Sequence, residues 1–196
     1  MTRILAFSDV HLARGRIRDI VTAARDADLV IGAGDFCNHR QGLDEAMDLL
    51  WTIADKAVYV PGNAESVDEL AVATEATVLH GESRYLQGLT VFGIGYAIPV
   101  TPFGDWSCDL TEDQAEAMLN RMDQADILIS HSPPKGVADI SGNGISLGST
   151  AVRDAIERVQ PRLCVCGHIH DSWGQQGMIG STSVHNLGPR PNWFEL

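Results

Sequence analysis

An α/β fold, with a pair of mixed β-sheets covered by helices, is predicted by three features of the 196-residue sequence. Short, continuous apolar runs alternate with segments of helical periodicity. Two further stretches, 77–94 and the residues after Trp173, carry shorter alternating runs without a strong helical pattern. The apolar fraction of 44% is enough to build a real core in a chain the length of one domain, so residues 1–196 are expected to fold as a single unit.

Each element has its own reason. The runs 4–7, 29–31, 57–60, 127–129 and 163–165 are apolar at successive positions, as strands buried on both faces are. Between them, Ile17, Ile20, Val21 and Ala24 share one helical face, and Leu43, Ala46, Met47, Leu50 and Trp51 share another. Ser66 with Glu69, and Thr111 with Gln114, have capping-box spacing; the second box opens a helix striped by Ala115, Met118, Leu119 and Met122. A last helix begins near Thr150 and is ended by Pro161. The stretches 77–94 and beyond Trp173 read as strands of an antiparallel portion. The loops 96–110 and 133–148 are rich in Gly and Pro, and loops of that length in a compact domain are often functional.

Charge and cysteine usage narrow the function classes. With 14 Lys and Arg against 26 Asp and Glu, the formal charge is -12, which repels phosphate backbones and argues against sequence-blind nucleic-acid binding. A phosphate-bearing partner must then be met by something other than surface charge. Cys37, Cys108, Cys164 and Cys166 show no CxxC spacing, so neither a zinc knuckle nor a disulfide framework is implied and a reduced, cytoplasmic compartment is expected. The N-terminal apolar run is broken too early, by Asp9 and His11, for a signal peptide, and no run approaches the roughly 20 apolar residues of a membrane span.

Every one of the five apolar runs is followed closely by a potential metal ligand: Asp9 and His11 in FSDVH, Asp35 in GAGDF, Asn63 in VPGN, His131 in ISHS, and His168 and His170 in CGHIH. In a largely parallel sheet the C-terminal strand ends line one edge, so the seven side chains can converge. Nitrogen and oxygen donors without a thiolate suit manganese, iron or zinc. Seven ligands exceed one tetrahedral ion, but with one bridging carboxylate they divide into two sets of four, which fits two ions roughly 3.5–4 Å apart.

The ordered set DxH, GD, GN, H and GHxH, running from Asp9 to His170, resembles the calcineurin-like metallophosphoesterase superfamily, and SVHNLGP near the C-terminus is similar to a segment of its small bacterial and archaeal, phosphodiesterase-like members. The resemblance implies a four-layer α/β sandwich, two mixed sheets flanked by helices. It implies a dinuclear phosphoesterase that hydrolyses phosphate esters, phosphodiesters first, with a metal-bridging hydroxide. Carried over, Asp9, His11 and His170 bind the first metal, Asp35 bridges, and Asn63, His131 and His168 bind the second, with Asp35, Asn63 and His131 also counted as catalytic. Manganese is the expected ion, with iron, zinc, nickel or cobalt as alternatives, and a small phosphate ester the expected partner; no membrane partner is expected, and the oligomeric state stays open, a homodimer included.

Ala64 departs from the family pattern. Many relatives have a histidine after this Asn that assists the leaving group, and some small phosphodiesterase-like members have cysteine; alanine neither gives nor accepts a proton. The alternatives are therefore a phosphomonoesterase or nucleotidase in which a residue such as His39 replaces the missing acid, or a non-catalytic scaffold on the same fold. Asn38 and His39 are candidates for phosphate contact or for loop solvation, and Asp171 for orienting an imidazole or for simple solvation. His80 and His185 have no motif around them. Phe103, Trp106 and Trp173 are candidates for the wall of an aryl- or base-binding pocket, or for packing their own loops.

Overall fold

The structure is a computed structural model describing residues Met1–Leu196. In chain order the elements are β1 (Arg3–Phe7), α1 (Arg14–Ala23), β2 (Leu29–Gly32), α2 (Leu43–Leu50), β3 (Ala57–Tyr59), α3 (Val67–Ala73), β4 (Thr77–Val78), β5 (Glu82–Leu86) and β6 (Leu89–Ile94). They continue with α4 (Glu112–Leu119), β7 (Ile127–Ser130), α5 (Thr150–Val159), β8 (Leu163–Cys166), β9 (Gln176–Ile179), β10 (Thr182–Asn186) and β11 (Asn192–Glu195). No helix is long and apolar enough to cross a membrane.

One sheet has the order β11-β1-β2-β3-β4, parallel except for β11; the other has the order β5-β6-β7-β8-β10-β9, parallel in its middle and antiparallel at both edges. The residues 77–94 are thus only partly antiparallel. Thr77 and Val78 reach the first sheet through the crossover helix α3 and so lie parallel to β3, while β5 and β6 form the hairpin.

Strand alternation sorts the core into layers. Ile4, Ala6, Ile31 and Val58 of the first sheet meet Val91, Ile127, Ile129 and Val165 of the second in one buried cluster. Leu5, Phe7, Val30 and Tyr59 point the opposite way, onto Ile17 and Ile20 of α1, Met47 and Leu50 of α2, and Leu70 of α3. Phe92, Leu128, Cys164 and Cys166 point outward from the second sheet onto Ala115 and Leu119 of α4 and Val152 and Ile156 of α5. The result is a helix–sheet–sheet–helix sandwich whose central strands are covered on both faces, which is why their sequences show no polar alternation.

Both capping boxes form: the Ser66 and Thr111 side chains accept from the backbone N–H of Glu69 and Gln114, whose side chains bond back to the cap residues. Trp51 does not share the buried face of α2. The helix ends at Leu50 and tightens into a 3₁₀ turn over Trp51–Lys56, which rotates Trp51 away from the core and leaves it 65% exposed.

The cysteines are free, and Cys37, Cys164 and Cys166 are buried. Burial pushes the Cys164 thiol up to about 12 and Cys166 well above its ordinary value, so neither forms a thiolate near neutrality. Cys164→Ala with Cys166→Ala should therefore cost packing, roughly 1–3 kcal/mol in denaturant titrations, and leave the turnover of the folded fraction intact. Lost turnover at unchanged stability would contradict this assignment.

Candidate metal centre

The seven ligand candidates meet at one edge of the sandwich, because the parallel strands of both sheets end there. Asp9 and His11 follow β1, Asp35 follows β2, Asn63 lies beyond β3, His131 directly follows β7, and His168 and His170 lie beyond β8. Donor atoms of Asp9, His11, Asp35 and His170 all lie within 4.8 Å of one another, as do those of Asp35, His131 and His168. Asp35 belongs to both groups. Its Oδ2 is 3.4 Å from His11 Nε2, and its Oδ1 is 3.5 Å from His131 Nε2. His170 Nε2 is 3.3 Å from His11 Nε2 and 3.7 Å from Asp9 Oδ1, while Asn63 Oδ1 is 3.2 Å from His131 Nε2.

Surrounding groups decide which atoms face inward. His131 Nδ1 is 2.7 Å from the Ala33 carbonyl and His11 Nδ1 is 3.0 Å from that of Cys37; a carbonyl only accepts, so both Nδ1 atoms carry protons and both Nε2 lone pairs point into the centre. Asn63 is fixed in the same way. The Ser107 hydroxyl donates to Asp109 Oδ1 at 2.6 Å, so it accepts from Asn63 Nδ2 at 3.0 Å and leaves the amide oxygen facing His131. Burial drives the His168 imidazole down to about 4, keeping it neutral. Burial also pushes Asp9 upward, but the His170 imidazole beside it and the hydrogen bond from the Ser8 hydroxyl outweigh this and hold the carboxyl well below its usual range.

The backbone is bent to make this possible. Asp9 (φ 52°), His11 (φ 39°), Asp35 (φ 57°) and His168 (φ 66°) all occupy the left-handed region. Each such residue costs on the order of 1 kcal/mol, and clusters of them mark functional sites. The loops also need two glycines. A Cβ on Gly62 would stand 2.1 Å from Asp35 Oδ1, and one on Gly34 would stand 2.5 Å from the Gly62 nitrogen.

Four neighbours support the centre, three of them not singled out by the sequence and the fourth, Trp173, expected there only as a pocket wall. Glu65 is fully buried; its Oε1 accepts from the backbone N–H of Gly62 (2.6 Å) and Asp35 (2.8 Å), and its Oε2 from Phe36 (3.1 Å) and Cys37 (3.3 Å). Sitting just before a capping box, it looks in sequence like an acid near a helix start. Ser8 donates to Asp9 Oδ2 at 2.5 Å and accepts from the Gly188 N–H, which ties the LGP segment to the first ligand loop. Ser107 orients Asn63. Trp173 is the fourth in this role: it does not line the cleft, but its Nε1 donates to Asp9 Oδ2 at 3.0 Å and its ring packs 4.3 Å from His170.

The other candidates separate clearly. Asn38, His39, Phe103, Trp106 and Asp171 line a cleft of about 670 Å³ that opens onto the ligand cluster. Asp171 accepts from the Gly142 N–H at 2.6 Å and so tethers the 133–148 loop. His80 accepts from the Gly95 N–H and packs on Tyr96, a satisfied core histidine lowered to about 4 by burial. His185 bonds to the Ser183 hydroxyl and packs on Phe194. Ala64 is only 1% exposed, and its N–H donates to Asp35 Oδ1 at 2.9 Å.

Lone pairs and carboxylates converging with no Lys or Arg along the cleft call for a cation, and the nitrogen and oxygen donor set fits a first-row divalent metal. Comparisons with known proteins agree with this chemistry. The chain is 28% identical over 201 residues to an uncharacterized protein of Methanocaldococcus jannaschii, covering 96% of this chain and 88% of that one. It is 32% identical over 121 residues to human metallophosphoesterase domain-containing protein 1, covering 58% of this chain and 35% of that one. Among solved structures, TT1561 of Thermus thermophilus matches with a TM-score of 0.76 at 18% identity over 98% of both chains. A dimetal phosphatase from Danio rerio matches with a TM-score of 0.61 at 15% identity, over 96% of this chain and 88% of that one. The family model for calcineurin-like phosphoesterases matches residues 2–172, which include all seven candidate ligands, and the chain belongs to that family.

Proposed function

We propose that the protein is a phosphodiester-cleaving hydrolase that works with two divalent cations. The observation that supports this most directly is Asp35, whose two carboxylate oxygens face two separate groups of ligand atoms. Asp9, His11 and His170 would complete the first set, and Asn63, His131 and His168 the second, with manganese as the first candidate ion. When bound, such a pair of cations supplies a water of lowered pKa and charge stabilisation for an in-line phosphoryl transfer.

The protein's own residues set the geometry for that reaction. Ala33 and Cys37 carbonyls hold the His131 and His11 lone pairs inward, Ser107 holds the Asn63 oxygen, and the cleft leaves one side open to the ester. Ala64 offers no proton to the departing oxygen, so esters with good leaving groups should be favoured. A second reading, a monoesterase with His39 as the acid, draws support from the position of His39 on the cleft wall, packed 4.1 Å from Trp106. A non-catalytic scaffold is disfavoured by the completeness of the donor set.

Metal analysis after manganese loading should find two ions per chain, and a saturating stoichiometry near one would sink the dinuclear reading. The loaded protein should turn over bis(p-nitrophenyl) phosphate faster than alkyl monoesters; the reverse order would favour the His39 reading.

A further inference from the structure

The cleft beside the ligand cluster is walled by apolar side chains from one loop. Ile98, Pro99, Val100, Pro102, Phe103 and Trp106 line it, as does Leu147 of the 133–148 loop. Of the eleven exposed large apolar side chains of the protein, five (Val100, Phe103, Ile140, Ile145 and Leu147) belong to these two loops. The Phe103 and Trp106 rings lie nearly parallel, 8° apart in plane with centroids 5.6 Å apart, and Phe103 is 50% exposed. The result is a ledge made by a half-exposed aromatic stack rather than a packed loop interior.

The ledge is held rigidly to the centre. Thr101 N–H and Oγ1 donate to Asp109 Oδ2 at 2.7 and 2.8 Å, Ser107 joins Asp109 to Asn63, and the Cys108 N–H donates to the Asn63 carbonyl at 2.9 Å. A loop fixed on both sides of its aromatic residues loses little entropy when a ligand binds. The cleft also lacks what a second phosphate would need. No Lys or Arg lines it, Lys135 Nζ is turned onto the Ser146 carbonyl at 2.6 Å, and Asp171 adds a carboxylate to the lining.

From these features, and resting on the phosphoesterase reading above, we infer that the substrate is an ester of a single phosphate whose organic group is apolar and flat, an aryl group or one of similar shape. The phosphate lies at the cations and the organic group on the Val100–Phe103–Trp106 ledge. Polyphosphates are selected against by the missing cationic side chains and the carboxylate of Asp171.

Methylphosphonate, phenylphosphonate and 1-naphthylphosphonate share one anionic head and differ only in the organic group, so calorimetric titration of each into manganese-loaded protein isolates the ledge. Affinity should rise in that order, with naphthylphosphonate at least about tenfold tighter than methylphosphonate. Phe103→Ala, at a half-exposed position that is not needed for folding, should cut that ratio several-fold, and Val100→Ser should cut it in the same direction. Equal affinity for the three phosphonates, or a ratio unchanged in both variants, would overturn the inference while leaving the phosphoesterase reading intact. If methylphosphonate itself does not bind the loaded protein, the phosphoesterase reading falls and takes the inference with it.

Discussion

Asp35→Asn should yield a folded protein that holds neither cation tightly and has almost no phosphoesterase activity. The side chain keeps its size, so the backbone contact from the Ala64 N–H can persist at one oxygen. With two cations held as proposed, what is lost is a negative charge between two positive ones, together with one of two inward-facing oxygens: an amide offers a single acceptor where the carboxylate serves both His11 and His131 groups. Residues that merely orient a ligand cost about 10–100-fold in metal affinity when removed, so loss of the shared ligand should exceed about 100-fold for the pair. Asp9→Asn should weaken chiefly the first ion, since its carboxylate belongs to the first group of donor atoms alone, whereas that of Asp35 belongs to both. Metal titrations of the two variants, with circular dichroism as a control for folding, would check the contrast. Equal losses in both would remove the special position of Asp35.

The parts legible in sequence were those in which one residue type has one physical use. Strands covered on both faces have to be continuously apolar, so 4–7, 29–31 and 163–165 marked themselves, and the convergence of the candidate ligands just past their ends followed from parallel topology. The direction of β4 was hidden because two residues, Thr77 and Val78, carry no periodicity, and only the crossover through α3 decides it. Trp51 misled because helical periodicity does not report where an α-helix tightens into a 3₁₀ turn. At the centre, the candidate ligands stood out by type and spacing, whereas Ser107, Trp173 and Glu65 act across large sequence separations that no local pattern records.

Ala64 shows how far a single position carries. In sequence it is a missing acid. In the structure it is buried, with its N–H committed to Asp35 and its carbonyl accepting from the Arg40 N–H at 2.8 Å. An imidazole there would have to displace neighbouring chain, so the site is built around a small residue at this point.

Glu65→Ala should be the most destabilising substitution at the centre that touches no ligand position. Its carboxylate gathers four backbone N–H groups from the two loops that carry Asp35 and Asn63, in a place with no access to water. Truncation leaves those donors buried and unpaired, at about 1–3 kcal/mol for each group left unsatisfied, so a loss of at least about 3 kcal/mol is expected even if part of the set finds water. Glu65→Gln should recover only part of this, because its NH₂ would turn a donor toward backbone donors on one side. The pH dependence separates a clamp whose protonation is coupled to folding from simple packing. Burial, reinforced by the charge of Asp35, raises the Glu65 carboxyl above its ordinary value despite the bonds from Gly62 and Cys37. A group raised in the folded state contributes stability that is full below its unfolded pKa and is lost as pH climbs through the folded one. In metal-free protein the stability difference between wild type and Glu65→Gln should therefore shrink as pH rises from the ordinary glutamate range toward neutrality. Cations beside Asp35 favour the ionised carboxylate, so manganese loading should flatten that slope. Denaturant titrations of both proteins across this interval, with and without metal, would test it, and a difference that does not change with pH would mean that Glu65 acts through shape alone.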